Sequence, residues 1–570
     1  MTPGLREGQA ATPGSRAELA TGFALALLAI AAHLPALSAG FVIDDALFVS
    51  GNPLLRGPFW SCFGTEGAAD WLPLTQLSFW LEWHLVGVAP PVHHAVNVLL
   101  HATSALLLWR ILRRLGVPGA ALAGALFAVH PLASGSVAWV AERKNVLAGV
   151  FFAAAVWLWL RWEDRPRRRT WVGALACFAL AILAKGAAVV LPACLLVLVW
   201  YRRGRVGRRD LAGLAPFAGL AAAGGAITVW FQWQVAIRGA PIDAGGPLAR
   251  LLSAPRAVWF YALQSAWPSR LSFFYPRWRL DPRSACAWLP AAAVAVLALL
   301  AWRLRERWGR GPAAALAWFV VALSPVLGLI DFYWLRYSPV ADHLAYFALP
   351  APVSLAGAAL SRLGRDPRSR HWAAAAAAVV LGSLAAAAWQ RCLAFQSETT
   401  LYGDALTKNP EAWYAHLALA DHLPPGSPER LQHLRDAARS APSPSEAADA
   451  LGMALGDSGR PLEAREAFAR AAALDEGNWL ARRHYALALY WNGELPAAIA
   501  ALREVLRLAP DCGPCHYDLG VMLAAQGRLE DALREVQAAR RWSPDNQEIA
   551  AGLARLAAAR QAQAAPEKLR

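Results

Sequence analysis

The feature that most constrains this chain is a ladder of apolar runs, every second one followed by arginines. Runs lie near 20–38, 92–109, 118–135, 145–160, 171–184, 187–201, 211–230, 285–302, 312–330, 343–360 and 372–389. They approach or reach the roughly 20 residues a helix needs to cross a bilayer. Arg110, Arg113 and Arg114 follow the second run, and Arg161 and Arg165 to Arg169 the fourth. Arg202, Arg203, Arg205, Arg208 and Arg209 follow the sixth, Arg303 to Arg310 the eighth, and Arg362 to Arg370 the tenth. Every second loop is therefore arginine-rich, which assigns those loops to the cytoplasm. The stretch 251–281 is apolar but ends in Arg270, Arg277, Arg279 and Arg283, so it is read as interfacial or re-entrant. The expectation is an all-α, polytopic bundle of about eleven spans. A cytoplasmic tail covers 1–19 and the membrane domain 20–397, with long outer loops at 39–91 and 231–284. The first run ends LPALSAG, faintly like a signal-peptidase site. Cleavage there would discard a span the topology needs, so it is read as an uncleaved anchor.

Charge sorts the same way. The net +15 resolves into 36 basic and 17 acidic groups over 1–397 and 19 basic and 23 acidic over 398–570. The excess lies in short clusters between apolar runs, the pattern of membrane loops rather than of a nucleic-acid surface. With 57% hydrophobic and 17% charged residues the chain is too apolar for one soluble protein, and 27 Trp and 20 Phe exclude general disorder.

From about 398 the character changes to amphipathic helices with a period of 34. Ala464, Ala498 and Ala532 keep phase, as do Phe468, Leu502 and Val536, with Gly452, Ala486 and Gly520. Pro442, Pro510 and Pro544 share a phase, with Glu476 in the gap. Small residues let paired helices approach, and proline ends each second helix. This resembles the tetratricopeptide repeat (TPR), an α-solenoid, in four units at 411–444, 445–478, 479–512 and 513–546, with a capping helix at 547–565. The C-terminal region, 398–570, falls outside the cell membrane in this topology. Within it Cys512-Gly-Pro-Cys515-His516 has the C-x-x-C-H form of haem attachment and the C-x-x-C of redox proteins. It sits at a join between repeats with no redox fold around it, so no haem is expected there, and a local disulfide or free thiols are.

Polar residues that could carry chemistry gather at the outer ends of the spans. Asp44 and Asp45 follow the first run; the pair suits a general base or a divalent metal such as Mg or Mn, or else a solvated, helix-capping turn. His94, Asn97 and His101 share a helix face, beside His93, to bond the acidic pair, bind metal or simply pack. Glu142, Arg143, Lys144 and Asn145 form the most polar run beside a span. Lys144 and Lys185 are the only lysines before residue 400, in a chain that otherwise uses arginine. An ammonium suits a phosphate oxygen and a guanidinium clamps phosphate; snorkelling or a carboxylate partner would serve equally. Asp331, Arg336, Tyr337, Asp342, His343 and Tyr346 form a further cluster, and Tyr275, Pro276, Arg277 and Trp278 another.

Seven stretches, in order, carry a family resemblance: GFVIDDALFVSGNPLL, WLPLTQLSFWLEWHLVG, HHAVNVLLHATSALLL, ALFAVHPLASGSVAWVAERKNVLAG, LAKGAAVVLPACLLV, FFYPRWRLDP and RYSPVADHLAYFALP. SETTLYGDALTKNPEAWYAHLALA resembles the lead-in to that family's repeats. Over about 20–550 the chain resembles bacterial relatives of the transmembrane and TPR-containing O-mannosyltransferases, which have the GT-C glycosyltransferase fold. The resemblance implies a polyprenyl-phosphate-linked sugar as donor, a protein hydroxyl as acceptor, an inner-membrane location, and Asp44 and Asp45 in the active site. Arg143, Lys144, Lys185, Arg336 and His343 are then candidate phosphate contacts, with His94, Asn97, His101, Glu142, Asp342 and Tyr346 in support. Relatives often have Lys-Glu where this chain has Lys185-Gly186, and Asp-Arg-Tyr where it has Asp342-His343-Leu344. A catalytically inactive membrane-anchored TPR scaffold is the alternative those two departures favour; a transporter or polymer ligase leaves Asp44 and Asp45 unexplained.

Overall fold

The structure, a computed structural model, describes residues 15–64, 71–237, 242, 245–441 and 445–564. Arg6 in the expected tail and Pro442 in the repeat phase lie outside the described residues. Those described form helices and connecting turns with no strand. They divide into two compact units, Met1–Lys408 and Asn409–Arg570. The division falls eleven residues beyond the expected 397/398 because helix Glu398–Lys408 packs into the first unit. There Tyr402 stacks on Phe274 at 6.5 Å, and Lys408 Nζ donates to the Leu271 carbonyl at 2.7 Å.

The first unit is a polytopic membrane bundle. Six of its described helices are long and apolar enough to cross a membrane: Pro90–Arg114, Val140–Asp164, Gly186–Arg203, Arg208–Ile237, Ala285–Arg303 and Arg370–Ala394. A bent pair, Ala120–Ala128 and Pro131–Ala138, makes a seventh if its halves, at 52°, form one span. The other expected runs also form helices, most of them shorter. The run expected at 312–330 forms the shorter apolar helix Gly311–Val326, and that at 171–184 forms Arg168–Ala184. The run at 343–360 becomes regular helix only from Pro350, ending at Leu363, because Asp342 and His343 are drawn into a short turn by polar partners. Helix Pro247–Ala266, in the stretch read as interfacial, is not among the six.

Small residues bring these helices into backbone contact. Gly119 has φ +68°, and a Cβ there would meet the Gly357 carbonyl at 2.2 Å. Helices Ala120–Ala128 and Pro350–Leu363 thus touch along a line no larger residue permits.

The second unit is a run of helix pairs: Trp413–Asp421 with Pro428–Ser440, Ser445–Asp457 with Pro461–Leu474, Trp479–Trp491 with Leu495–Leu508, and Gly513–Ala525 with Leu529–Trp542. Gln547–Ala564 follows them. The phased small residues sit where helices cross. A Cβ on Gly452 would meet the Phe468 ring at 2.6 Å, and one on Gly520 would meet Val536 at 2.5 Å. Ala464, Ala498 and Ala532 are buried. Cys512 and Cys515 form a disulfide at the start of the Gly513–Ala525 helix.

Candidate functional site

Glu142 is the hub of the polar cluster in the membrane unit. It ends a short turn, Val140–Glu142, immediately before the long helix Arg143–Asp164. Its carboxylate is buried, and two ammonium groups close on it: Lys144 Nζ at 3.1 Å from Oε1 and Lys185 Nζ at 3.3 Å from Oε2. Asn145 Nδ2 also donates to Oε2, and His343 Nε2 stands 4.0 Å from Oε1. Lys144 lies over the rings of Phe48 and Trp139, at 5.3 and 5.9 Å. His343 is held edge-on by Trp334 and Trp139, and its carbonyl accepts from Asn145 Nδ2 at 2.9 Å. Three of the five residues expected to meet phosphate, Lys144, Lys185 and His343, thus come together from distant parts of the chain. Two cations face one carboxylate. Both lysine side chains keep partial access to solvent, 15% and 14% exposed against 2% for Glu142.

The family pattern differs at Gly186, and the geometry accounts for it locally. A Cβ at Gly186 would meet Thr228 Oγ1 at 2.2 Å, so the position is committed to glycine. The carboxylate facing Lys185 comes from Glu142 instead.

The acidic pair flanks this cluster, with its two members in different environments. Asp45 is buried and accepts from two backbone N–H groups, Val42 at 2.9 Å on Oδ2 and Ala141 at 2.6 Å on Oδ1. It thereby pins the outer loop to the turn that carries Glu142. Burial pushes its carboxyl up to about 8, against the opposing pull of those N–H donors. Asp44 is half-buried. The residue before it, Ile43, has φ +54°, and it is the sole non-glycine with positive φ among the described residues. A β-branched residue in that region is strained. Its N–H is held by Glu398 Oε1 at 2.8 Å.

Arg143 faces the other way. It is fully buried, and all three guanidinium nitrogens have partners: Nε on Asn97 Oδ1, Nη1 on Glu82 Oε1 and Ser78, and Nη2 on Glu82 Oε2 at 3.2 Å and the His93 carbonyl at 2.8 Å. His93 Nδ1 pairs with Glu82 Oε2 as well. Burial alone would raise the Glu82 carboxyl, but His93 and Arg143 outweigh it and hold it below its ordinary value. Arg143 is thus a structural cation with no donor left for a phosphate, and Glu82 is its counter-ion. Glu82 lies in the stretch WLPLTQLSFWLEWHLVG, where it is a lone acid in an aromatic run.

The face of His94, Asn97 and His101 is also used internally rather than on Asp44 or Asp45. His94 Nε2 meets the Gly40 carbonyl at 3.3 Å, Asn97 donates to the Trp139 carbonyl at 3.1 Å, and His101 bonds the Tyr346 hydroxyl at 3.0 Å and the Ala128 carbonyl at 3.2 Å. Asp342 turns from its neighbour His343 to a second cluster. It accepts from the Tyr275 hydroxyl at 2.5 Å and lies 3.5 Å from Arg391, which also pairs with Asp404 at 2.8 Å. Burial raises the Asp342 carboxyl to about 6 against the pull of Arg391. Arg336 sits in the turn Tyr333–Arg336, its carbonyl accepting from Arg277 at 2.5 Å.

The donors do not make a metal cradle. Among the described residues no group of three or more His, Cys, Asp and Glu is arranged to hold an ion. Asp45, already bonded on both oxygens and shifted toward the protonated form, is a poor ligand.

Fold and site together define a polytopic helical membrane protein with a polar cluster at the ends of its helices and a separate helical-repeat unit. Residues 73–229 match the family "Dolichyl-phosphate-mannose-protein mannosyltransferase", and 457–519 match "Tetratricopeptide repeat". The chain is 32% identical over 200 residues to Protein O-mannosyl-transferase Tmtc1 of Drosophila melanogaster, covering 32% of this chain and 23% of that protein. It is 34% identical over 172 residues to Tmtc2 of the same fly, covering 27% and 18%. Against human Protein O-mannosyl-transferase TMTC3 the identity is 28% over 166 residues, again covering 27% and 18%. Over these stretches the chain is similar to the TMTC protein O-mannosyl-transferases. Each alignment spans only about a fifth of the relative's length.

Proposed function

We propose that the chain is a membrane glycosyltransferase of GT-C type that moves a mannose-like sugar from a polyprenyl-phosphate donor to a protein hydroxyl on the non-cytoplasmic side of the membrane. The observation that carries this reading is the pair of partly accessible ammonium groups, Lys144 and Lys185, sharing one buried carboxylate. A phosphate brought to them accepts from both ammonium groups and is stabilised as it becomes the leaving group. His343, when charged, adds a donor beside them. Asp44 is the half-buried carboxylate of the acidic pair, positioned to take the proton from a Ser or Thr hydroxyl as the sugar transfers with inversion. Asp45 holds the loop that presents it. The family match over 73–229, which spans Lys144 and Lys185, supports the same chemistry. The repeats would hold the acceptor or a partner protein, since stacked helix pairs offer a concave surface for an extended chain. In a bacterium the host would be the inner membrane, with the arginine-rich loops cytoplasmic.

The test is transfer of labelled mannose from polyprenyl-phospho-mannose to periplasmic or secreted proteins by the purified full chain in lipid nanodiscs. Incorporation that survives denaturing gels and is released by β-elimination supports an O-linked product. No incorporation by a folded wild-type chain, with a repeat deletion matching the phenotype of a full deletion, would favour the inactive scaffold.

A further inference from the structure

A cavity of about 500 Å³ lies along the membrane bundle away from the lysine cluster. Leu108, Phe152, Val156, Trp318 and Phe347 contribute to its predominantly apolar wall, and none of Asp44, Lys144 and Lys185 lines it. Its inner end is marked by Tyr346, whose ring packs so closely on Gly149 that a Cβ there would meet it at 2.6 Å. From there the cavity follows the helix Arg143–Asp164 away from Lys144; Val156 lies twelve residues on, about 18 Å along the axis. The opposite end is bordered by Arg310 and Arg362.

Some arginines at that end of the bundle are held by carboxylates. Arg113 pairs with Glu18 at 2.9 Å, Arg114 with Asp164 at 2.6 Å, Arg202 with Glu163 at 2.8 Å and Arg203 with Asp210 at 2.5 Å. Among the described residues Arg310 and Arg362 have no carboxylate partner. The Arg310 guanidinium rests on Gly204, where a Cβ would meet Nη2 at 2.3 Å, and donates to the Tyr201 carbonyl at 3.5 Å. Gly204, with φ +74°, caps the helix Leu191–Arg203 there, and the Arg310 cation stands at the rim of a greasy slot.

We infer that the slot binds an anionic phospholipid from the leaflet on the arginine-rich side, with its headgroup phosphate on Arg310 and Arg362 and one acyl chain between Phe152 and Trp318. Basic pockets between membrane helices recognise anionic headgroups in this way, and apolar walls suit an acyl chain. The site is separate from the lysine cluster and does not depend on the transferase reading. The isoprenoid tail of a donor is the rival occupant. The slot disfavours it, because its cationic rim lies at the end remote from Lys144 and Lys185.

Three lipids carrying a photoreactive diazirine in the hydrocarbon part test this: phosphatidylglycerol, phosphatidylcholine and a polyprenyl phosphate. Each is placed at low fraction in nanodiscs holding the full chain, irradiated, and the labelled peptides identified by mass spectrometry. Phosphatidylglycerol is expected to label 149–156 and 312–318 roughly tenfold or more above phosphatidylcholine. The Arg310→Gln/Arg362→Gln variant should bring the two to the same level. Ala315→Trp, which fills the slot, should abolish labelling by both. Equal labelling of the wild type by the two phospholipids would overturn the proposal, and that comparison needs no variant to fold. So would stronger labelling by polyprenyl phosphate that ignores the arginine substitutions, or labelling that persists in Ala315→Trp.

Discussion

Arg143 and Lys144 are neighbours at the start of one helix, yet they serve two opposite kinds of cluster. Arg143 lies in a closed one: it is fully buried, its donors are all used, and Glu82 and His93 complete it. Lys144 lies in an open one, where a second ammonium shares the same carboxylate and both side chains keep access to solvent. A buried pair with matched charge contributes nothing to a ligand, and its removal damages the fold. Cations that keep access to solvent can meet an incoming anion. Burial and access to solvent, more than the residue type, separate the two clusters.

The sharpest way to break this comparison is Arg143→Met, which leaves Glu82 buried without its main counter-ion. Breaking a buried pair costs about 3–5 kcal/mol. The expected outcome is loss of monodisperse protein on fluorescence-detected gel filtration, with the double variant Glu82→Leu/Arg143→Met recovering part of it. Wild-type folding in Arg143→Met would place Arg143 outside the scaffold and reopen it as a phosphate contact.

Asp44→Asn should leave folding intact and lower sugar transfer by roughly 10²–10⁴-fold, the usual range for a general base. Transfer rates measured with saturating donor and acceptor check this, and an unchanged rate removes Asp44 from the chemistry. Lys144→Met and Lys185→Met should each weaken donor use by about 10–100-fold, the scale of one lost charged hydrogen bond. Each leaves Glu142 with one lysine, so the thermal midpoint should move far less than in Arg143→Met. If midpoint and donor KM move together, the lysines are scaffolding like Arg143.

Much of this was legible in the sequence because membrane spans and repeats are written in one-dimensional patterns. Arginine spacing marks the loops, and the phase of Ala464, Ala498 and Ala532 marks helix crossings that the structure shows buried. The rarity of lysine singled out Lys144 and Lys185, which do meet. What sequence could not supply is direction. Adjacent residues on a helix point about 100° apart, so the run from Glu142 to Asn145 read as one feature and divides into two clusters. Glu82 and Arg391, the partners that decide where Arg143 and Asp342 go, stand alone in apolar runs without spacing to flag them. Tertiary pairing over long separations leaves no local signature.

The smallest expected effect concerns the acidic pair and its pH dependence. In the folded chain Asp45 titrates at about 8, against an ordinary 3.8. The folded state therefore keeps this proton where the unfolded state has released it. The stabilisation this linkage gives is complete below the ordinary value and is lost as pH rises through about 8. Between pH 5 and 9 the thermal midpoint of Asp45→Asn should fall less steeply than that of the wild type, the difference between the curves isolating this one group. At pH 5 the variant should be the less stable by about 1–3 kcal/mol, because an amide has one acceptor oxygen for the two N–H groups of Val42 and Ala141. Parallel curves would mean that Asp45 is ionised in the folded protein throughout. The pair would then carry two negative charges beside Lys144, and the distinction between a loop-holding Asp45 and a reactive Asp44 would have to be redrawn.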